Sequence, residues 1–346
     1  IMYFSKLNNE HDDVITDISY DFYGKRFATC SLDKHIKVWS LSSNNKWISY
    51  DIPRAHQDSI WRLSWAHPEF GQLFASCSED RTVCIWEEQE NITQRITNDS
   101  KSTNNTSKDQ WIRKATLSES KKAVNDVKFS PKHLGLKVAT ACGDGYVRIY
   151  EATDIFSLAY WQLQEFFRVD DPNEVLPDIN EILDYSVVGN LNEHGLTCLS
   201  WNECPFENPK IAIGGNSKRA VVWTQIDNKW TEECLLGSHN DTIHDIAWAP
   251  SMGRSYHLIA TASKETTFQV HKLIRKENSV LEYSSSAIVQ AVNDSPVWRV
   301  TWNATGTILA TSSEDGTLAL WRRNFSDEWI NIQTLNSSSN QFHAKN

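Results

Sequence analysis

Six times along this chain, a turn residue is followed six positions later by an aromatic or a histidine. The pairs are Asp33 with Trp39, Asp80 with Trp86, Asp144 with Tyr150, Ser217 with Trp223, Glu265 with His271, and Asp315 with Trp321. Around each pair the chain has one shape. A short alternating strand ends in Tyr20, Trp65, Phe129, Trp201, Trp248 or Trp302, and a strand of small residues leads into the turn. Period-2 alternation means strands, and a fixed repeat means stacked copies of one unit that cannot bury its faces alone.

The small second strands (ATCS, ASCS, ATAC, AIGG, ATAS, ATSS) suit units that converge on a central axis, where large side chains would clash. A fourth, outer strand follows each triplet: 47–52, 111–117, 160–166, 230–236, a looser run near 280–290, and 329–335. The fold class expected is therefore all-β, a six-bladed WD40-type β-propeller. It forms a single domain over 2–336, with blades near 11–53, 56–117, 120–167, 194–236, 239–290 and 294–335. A length of 346 residues would otherwise suggest two domains at about 150 residues each.

Two long intervals between the repeated aromatics locate insertions. Residues 87–110 are polar and rich in Ser, Asn and Thr, and read as a disordered loop. Residues 168–193 are acidic with scattered apolar positions, and read as an inter-blade loop or a short helix for a partner. Residues 337–346 read as a flexible tail. Ile1 ahead of Met2 is set aside as foreign to the fold.

Composition narrows the function. A net charge of −10, with no cluster of Lys and Arg, argues against a nucleic-acid backbone as partner. Seven Cys without a C-x-x-C pair point to reduced thiols and an intracellular home. No run approaches 18 apolar residues, so no direct membrane insertion is expected.

His11, His56, His194 and His239 each precede a first strand, 22 to 26 residues ahead of the turn residue. A His beside a carboxylate can be a catalytic dyad. A device repeated around a fold is structural, however, whereas an active site occurs once. Each His is expected to reach its turn residue, with a strand hydroxyl and the Trp N–H completing a clamp. The clamp set is His11, Asp33, Trp39, His56, Asp80, Trp86, Asp144, Tyr150, His194, Trp223, His239, Glu265, Asp315 and Trp321. No catalytic residue, metal site or cofactor is expected, and no phosphate-binding, zinc-protease or nucleophile-elbow motif is present.

The last blade has its own fourth strand, and about ten residues precede His11, too few for a seventh blade. Six blades of standard geometry would leave a gap between first and last, although six-bladed rings that close on themselves exist. The residues expected at that gap are Ile15, Ile18, Tyr20, Trp298, Val300 and Trp302. A strand or blade from another protein could fill it.

The segments HDDVITDISYDFYGKRFATCSLDKHIKVW, KFSPKHLGLKVATACGDGYVRIYEATD, NDTIHDIAWAPSMGRSYHLIATASK and VWRVTWNATGTILATSSEDGTLALW resemble the Seh-type WD-repeat nucleoporins. The related Sec-type subunit, shared by the COPII coat and the nuclear pore, is similar at IWRLSWAHPEFGQLFASCS, while FSPKHLGLK and SMGRSYHLIAT favour the Seh branch. This resemblance implies an open propeller completed by an insertion blade from a helical ancestral-coatomer nucleoporin. It implies a non-enzymatic scaffold of the Y-shaped nuclear pore complex, with other Y-complex subunits as partners and a part in nucleocytoplasmic transport. It further implies a role in a vacuolar or lysosomal coat-like complex that regulates the TOR kinase. Ser238 in a slot where Gly commonly precedes His, His271 in a Trp slot, and repeats three and six without His depart from the pattern. The alternatives are a Sec-type COPII coat subunit, a self-closed adaptor propeller, and a propeller hydrolase with one unrepeated acidic cluster, often around calcium.

Overall fold

The structure is a computed structural model and describes residues 10–42, 44, 46–89, 110–169, 195–276, 280–336 and 343–344. Its strands form six sheets, each an up-and-down meander in chain order, and the fold is an all-β propeller of six blades. Among the described residues there is no α-helix, and so none long and apolar enough to cross a membrane.

The chain divides into two compact units. The first holds residues 1–140 and 149–165, and the second holds 141–148 and 166–346. In the first unit, blade 1 comprises β1 (Ile15–Tyr20), β2 (Arg26–Ser31), β3 (Ile36–Leu41) and β4 (Trp47–Ile52). Blade 2 comprises β5 (Ile60–Trp65), β6 (Leu73–Ser78), β7 (Val83–Gln89) and β8 (Gln110–Leu117). Blade 3 comprises β9 (Val124–Phe129), β10 (Lys137–Cys142), β11 (Tyr146–Ala152) and β12 (Trp161–Arg168), and its β10–β11 turn and last residues belong to the second unit.

In the second unit, blade 4 comprises β13 (Leu196–Trp201), β14 (Lys210–Gly215), β15 (Arg219–Ile226) and β16 (Lys229–Ser238). Blade 5 comprises β17 (Ile243–Trp248), β18 (Tyr256–Ser263), β19 (Thr267–Arg275) and β20 (Leu281–Gln290). Blade 6 comprises β21 (Val297–Trp302), β22 (Ile308–Ser313), β23 (Thr317–Arg323) and β24 (Trp329–Asn336). A two-residue strand, β25 (His343–Ala344), pairs with the outer edge of β24, inside the stretch read from sequence as a flexible tail.

The repeated turn has one backbone cause. The residue after the turn position sits at positive φ in all six blades: Lys34, Arg81, Gly145, Lys218, Thr266 and Gly316, between 64° and 85°. Where the residue just before it is Asp, its carboxylate accepts the backbone N–H two residues on, as Asp33 does from His35 at 2.9 Å.

A second repeated device sets which way side chains point. The first strand carries a β-bulge between its first and third residues, at Ile15/Asp17, Ile60/Arg62, Leu196/Cys198, Ile243/Asp245 and Val297/Arg299. The extra residue puts slots two and three on the same side. Slots two, three and five therefore share a front face, and slots one, four and six share a back face. Inside each unit, the front face of one blade packs on the back face of the next. Leu63 in slot four of blade 2 joins Ala28, Cys30, Ile36 and Val38 of blade 1, and Val300 of blade 6 joins Ala260, Ala262, Phe268 and Val270 of blade 5. The small second strand permits this approach. A Cβ on Gly214 would meet Ile243 Cγ2 at 2.9 Å.

Candidate functional site: blade clamps and two exposed faces

The clamp residues come together inside single blades. In blade 2, His56 Nδ1 lies 3.0 Å from Asp80, its Nε2 lies 2.7 Å from Ser76 Oγ, and Trp86 Nε1 donates to that hydroxyl oxygen at 2.9 Å. Blade 1 repeats this with His11, Asp33, Thr29 and Trp39. Burial would lower the His56 pKa, but the hydrogen bonds and charges of Asp80 and Cys84 together outweigh it and hold the ring at about 9. The Asp80 carboxyl is held well below the usual range by its pairing with His56, against its own partial burial.

The other blades use substitutes. Asn293 stands where blade 6 lacks a His, donating to Asp315 at 2.6 Å and to Thr317 at 3.0 Å, and Trp321 donates to Thr311 at 2.9 Å. Arg148 fills the role in blade 3, gripping Asp144 with both terminal guanidinium nitrogens, while Tyr150 is buried in the Trp slot. Sequence reasoning missed Arg148 and Asn293 because it sought one residue type. Both lie at regular offsets from the turn residue, Arg148 four after it and Asn293 22 before it.

Blade 4 has no such chain of bonds among the described residues. His194 lies outside them, Ile213 occupies the hydroxyl slot, and the buried Nε1 of Trp223 has no partner. Phe167 stacks on Trp223 at 4.6 Å instead.

Blade 5 keeps the chain with a second His. His239 Nδ1 meets Glu265, and Thr261 Oγ1 lies 2.7 Å from His239 Nε2 and 3.0 Å from His271 Nε2. A carboxylate only accepts, so His239 donates from Nδ1 and accepts the Thr261 hydroxyl hydrogen at Nε2. The Thr261 oxygen then accepts from His271 Nε2–H, as other clamps accept from Trp. Burial drives the His271 pKa down to about 3, aided by the neighbouring His239. The result is a set of structural braces. Among the described residues no group of His, Cys, Asp or Glu could hold a metal ion.

The gap-lining expectation meets a different geometry in part. Ile15, Ile18 and Tyr20 occupy slots one, four and six of β1, on the back face of blade 1. Ile18 is 54% and Tyr20 57% exposed, whereas slot four elsewhere is at most 4% exposed: Leu63, Val127, Leu199, Ile246 and Val300. Trp298, in slot two, lies on the front face of blade 6 at 44% exposure and stacks against His244 at 4.1 Å. Val300 and Trp302 are on the opposite face. Val300 is buried against blade 5, and Trp302 Nε1 donates to the Ala247 carbonyl at 3.0 Å. The bulge at Val297/Arg299 moves Trp298 off the face that alternation gives to Val300 and Trp302, so the three cannot line one surface. The front face of blade 6 is instead built from Trp298, Arg299, Thr301, Ala310, Ser312, Leu318 and Leu320. Thr301 and Leu318 are exposed, and the rest apart from Trp298 are half-buried.

The WD domain, G-beta repeat family model matches residues 4–40, 44–87, 111–151 and 288–322. The gap in that match, 152–287, holds blades 4 and 5, whose clamps carry Ile213, Ser217 and His271. Nucleoporin SEH1-A of Xenopus laevis is 38% identical over 348 residues, spanning 96% of this chain and 88% of that protein. The chain belongs to the SEH1 nucleoporin family. Nucleoporin SEH1 of Osmerus mordax is 40% identical over 92% of the chain, and that of Homo sapiens is 38% identical over 92%. As an SEH1-type chain it carries its likeness through both units.

Proposed function

We propose that this chain is a non-enzymatic scaffold subunit of the nuclear pore, in its Y-shaped coat, and supports nucleocytoplasmic transport by holding a helical partner in place. The exposed front face of blade 6 carries this reading. In blades 1 to 5 the third and fifth residues after the turn position are at most 3% exposed, whereas Leu318 is 38% exposed and Leu320 half-buried. An apolar blade face left open is a surface that a further blade can stack on and cover. A helical ancestral-coatomer nucleoporin that inserts a blade of its own would bury this face. The Ile18/Tyr20 face of blade 1 is a second open surface of the same kind. Membership in the SEH1 nucleoporin family supports the nuclear pore as the setting. The vacuolar or lysosomal TOR-regulating complex would use the same faces through another donor, so the two assemblies would compete for one chain.

The test is co-expression with a helical nucleoporin of the same organism, followed by size exclusion with light scattering. A stable one-to-one complex is expected, abolished by Leu318→Asp. A monomer that gains neither mass nor melting temperature on co-expression sinks the reading and favours a self-closed adaptor.

A further inference from the structure

The first strands inside each unit are joined by one repeated set of contacts, which extends naturally to whatever docks on the front face of blade 6. Slot three is the informative position. In successive blades it holds Asp17, Arg62 and Asp126 in the first unit, and Cys198, Asp245 and Arg299 in the second. Asp17 and Asp245 accept the slot-four N–H of the next blade, from Leu63 and Val300, each at 2.9 Å. Where slot three is Arg62, the next blade answers with Asp126. Their charged groups are 4.0 Å apart, and both side chains are at most 4% exposed. Three of the four neighbouring pairs within the units thus combine Asp with Arg, and none combines like charges.

The remaining slots repeat as well. Slot four is always aliphatic and fills the space against the small second strand of the preceding blade, as Leu63 does over Ala28 and Cys30. In slot six, Trp65 donates backward to the Ser19 carbonyl at 2.9 Å and Trp302 to the Ala247 carbonyl at 3.0 Å, whereas Trp248 donates to His257 of its own blade. The slot-five hydroxyls of Ser64 and Ser200 accept the slot-six N–H of the following blade, each at 3.0 Å.

We propose that the strand seated on the front face of blade 6 carries a carboxylate in slot three, opposite Arg299, an aliphatic residue in slot four and a Trp in slot six. This rests on the blade-donation reading above and gives the donor's innermost strand its chemistry. Arg299 supplies the guanidinium, Ala310, Ser312, Leu318 and Leu320 form the bed for the aliphatic residue, and the Thr301 carbonyl accepts the indole N–H. A carboxylate is selected because Arg62, the other Arg in slot three, is met by Asp126 of the blade that follows it, and Arg299 presents the same slot to whatever follows blade 6. A donor with Lys or Arg in slot three is rejected for the same reason.

The decisive experiment is a charge-reversal cycle in the co-expressed complex with the helical nucleoporin. Arg299→Glu should weaken binding roughly 30-fold, and Arg299→Met by less. Replacing the donor's slot-three carboxylate with Lys should restore affinity to Arg299→Glu while weakening the wild-type pair. Arg299→Met, checked by melting, guards against a loss that is only misfolding. If Arg299→Glu binds as wild type while Leu318→Asp abolishes binding, the carboxylate proposal falls and blade donation stands. Failure of the wild-type chain to bind overturns both. A dimer of the chain alone that Arg299→Glu dissociates would make the occupant a second copy, which also overturns the proposal.

Discussion

Blades 5 and 6 are written in nearly the same pattern, ATASKETTFQV and ATSSEDGTLAL, yet their front faces end differently. Phe268 and Val270 of blade 5 are 0% and 3% exposed beneath Val297 and Val300 of blade 6. Their counterparts Leu318 and Leu320 have no such cover among the described residues, and Leu318 is 38% exposed. The difference lies in the cover each face receives and not in the blade's own residues. A front face of this kind is made for burial whether or not the chain itself supplies the cover.

The largest expected effect separates these two faces directly. Val270→Asp buries an unpaired carboxylate and should cost about 4 kcal/mol or more, unfolding much of the second unit. Leu318→Asp places the same charge where water reaches it and should change stability by about 1 kcal/mol at most. Urea denaturation of the two variants checks this. Equal losses would break the comparison.

The clamps of blades 2 and 5 differ in the sign of their pH response. His56 is held near 9 when folded against an ordinary value of 6.5. Its contribution is therefore complete below pH 6.5 and is lost as pH rises through 9. It amounts to something on the order of 3 kcal/mol. His271 is held near 3, so its burial costs nothing above pH 6.5 and an increasing amount as pH falls toward 3. Stability relative to His56→Gln should decline from pH 6.5 to 9, and relative to His271→Gln from pH 6.5 to 3. Parallel pH curves for either variant and wild type would remove that assignment.

A smaller effect distinguishes the clamped Trp86 from the unclamped Trp223. Both changes to Phe lose comparable apolar contact, but only Trp86→Phe also breaks the N–H bond to Ser76. Trp86→Phe should be the more damaging by about 1 kcal/mol in chemical denaturation. If the Trp223→Phe loss matches it, the hydrogen-bonded clamp contributes little.

Most of the fold was legible because the repeat states itself: one spacing, one turn and one small-residue strand, six times over. The clamps were legible where His recurs, and hidden where Arg148 and Asn293 do the same work with other chemistry. The exposed faces were only half legible. Ile15, Ile18, Tyr20 and Trp298 fall on them, but Val300 and Trp302 were grouped with Trp298 although they lie on the other side of the same strand. Alternation alone assigns Val300 and Trp302 to one face. Seeing that Trp298 joins Arg299 on the other requires the bulge, which sequence does not announce. What covers an exposed face is not encoded in a single chain at all, beyond the charge and shape of the bed it leaves.

The most direct test is residue-level carbene footprinting of the second unit's side chains, in the chain alone and in the complex with the helical nucleoporin. Labelling at Trp298 and Leu318 should fall several-fold in the complex, while Val270 and Val300 stay protected in both. Unchanged labelling at Leu318 in a complex that demonstrably forms would contradict the claim that the front face of blade 6 is where the partner binds.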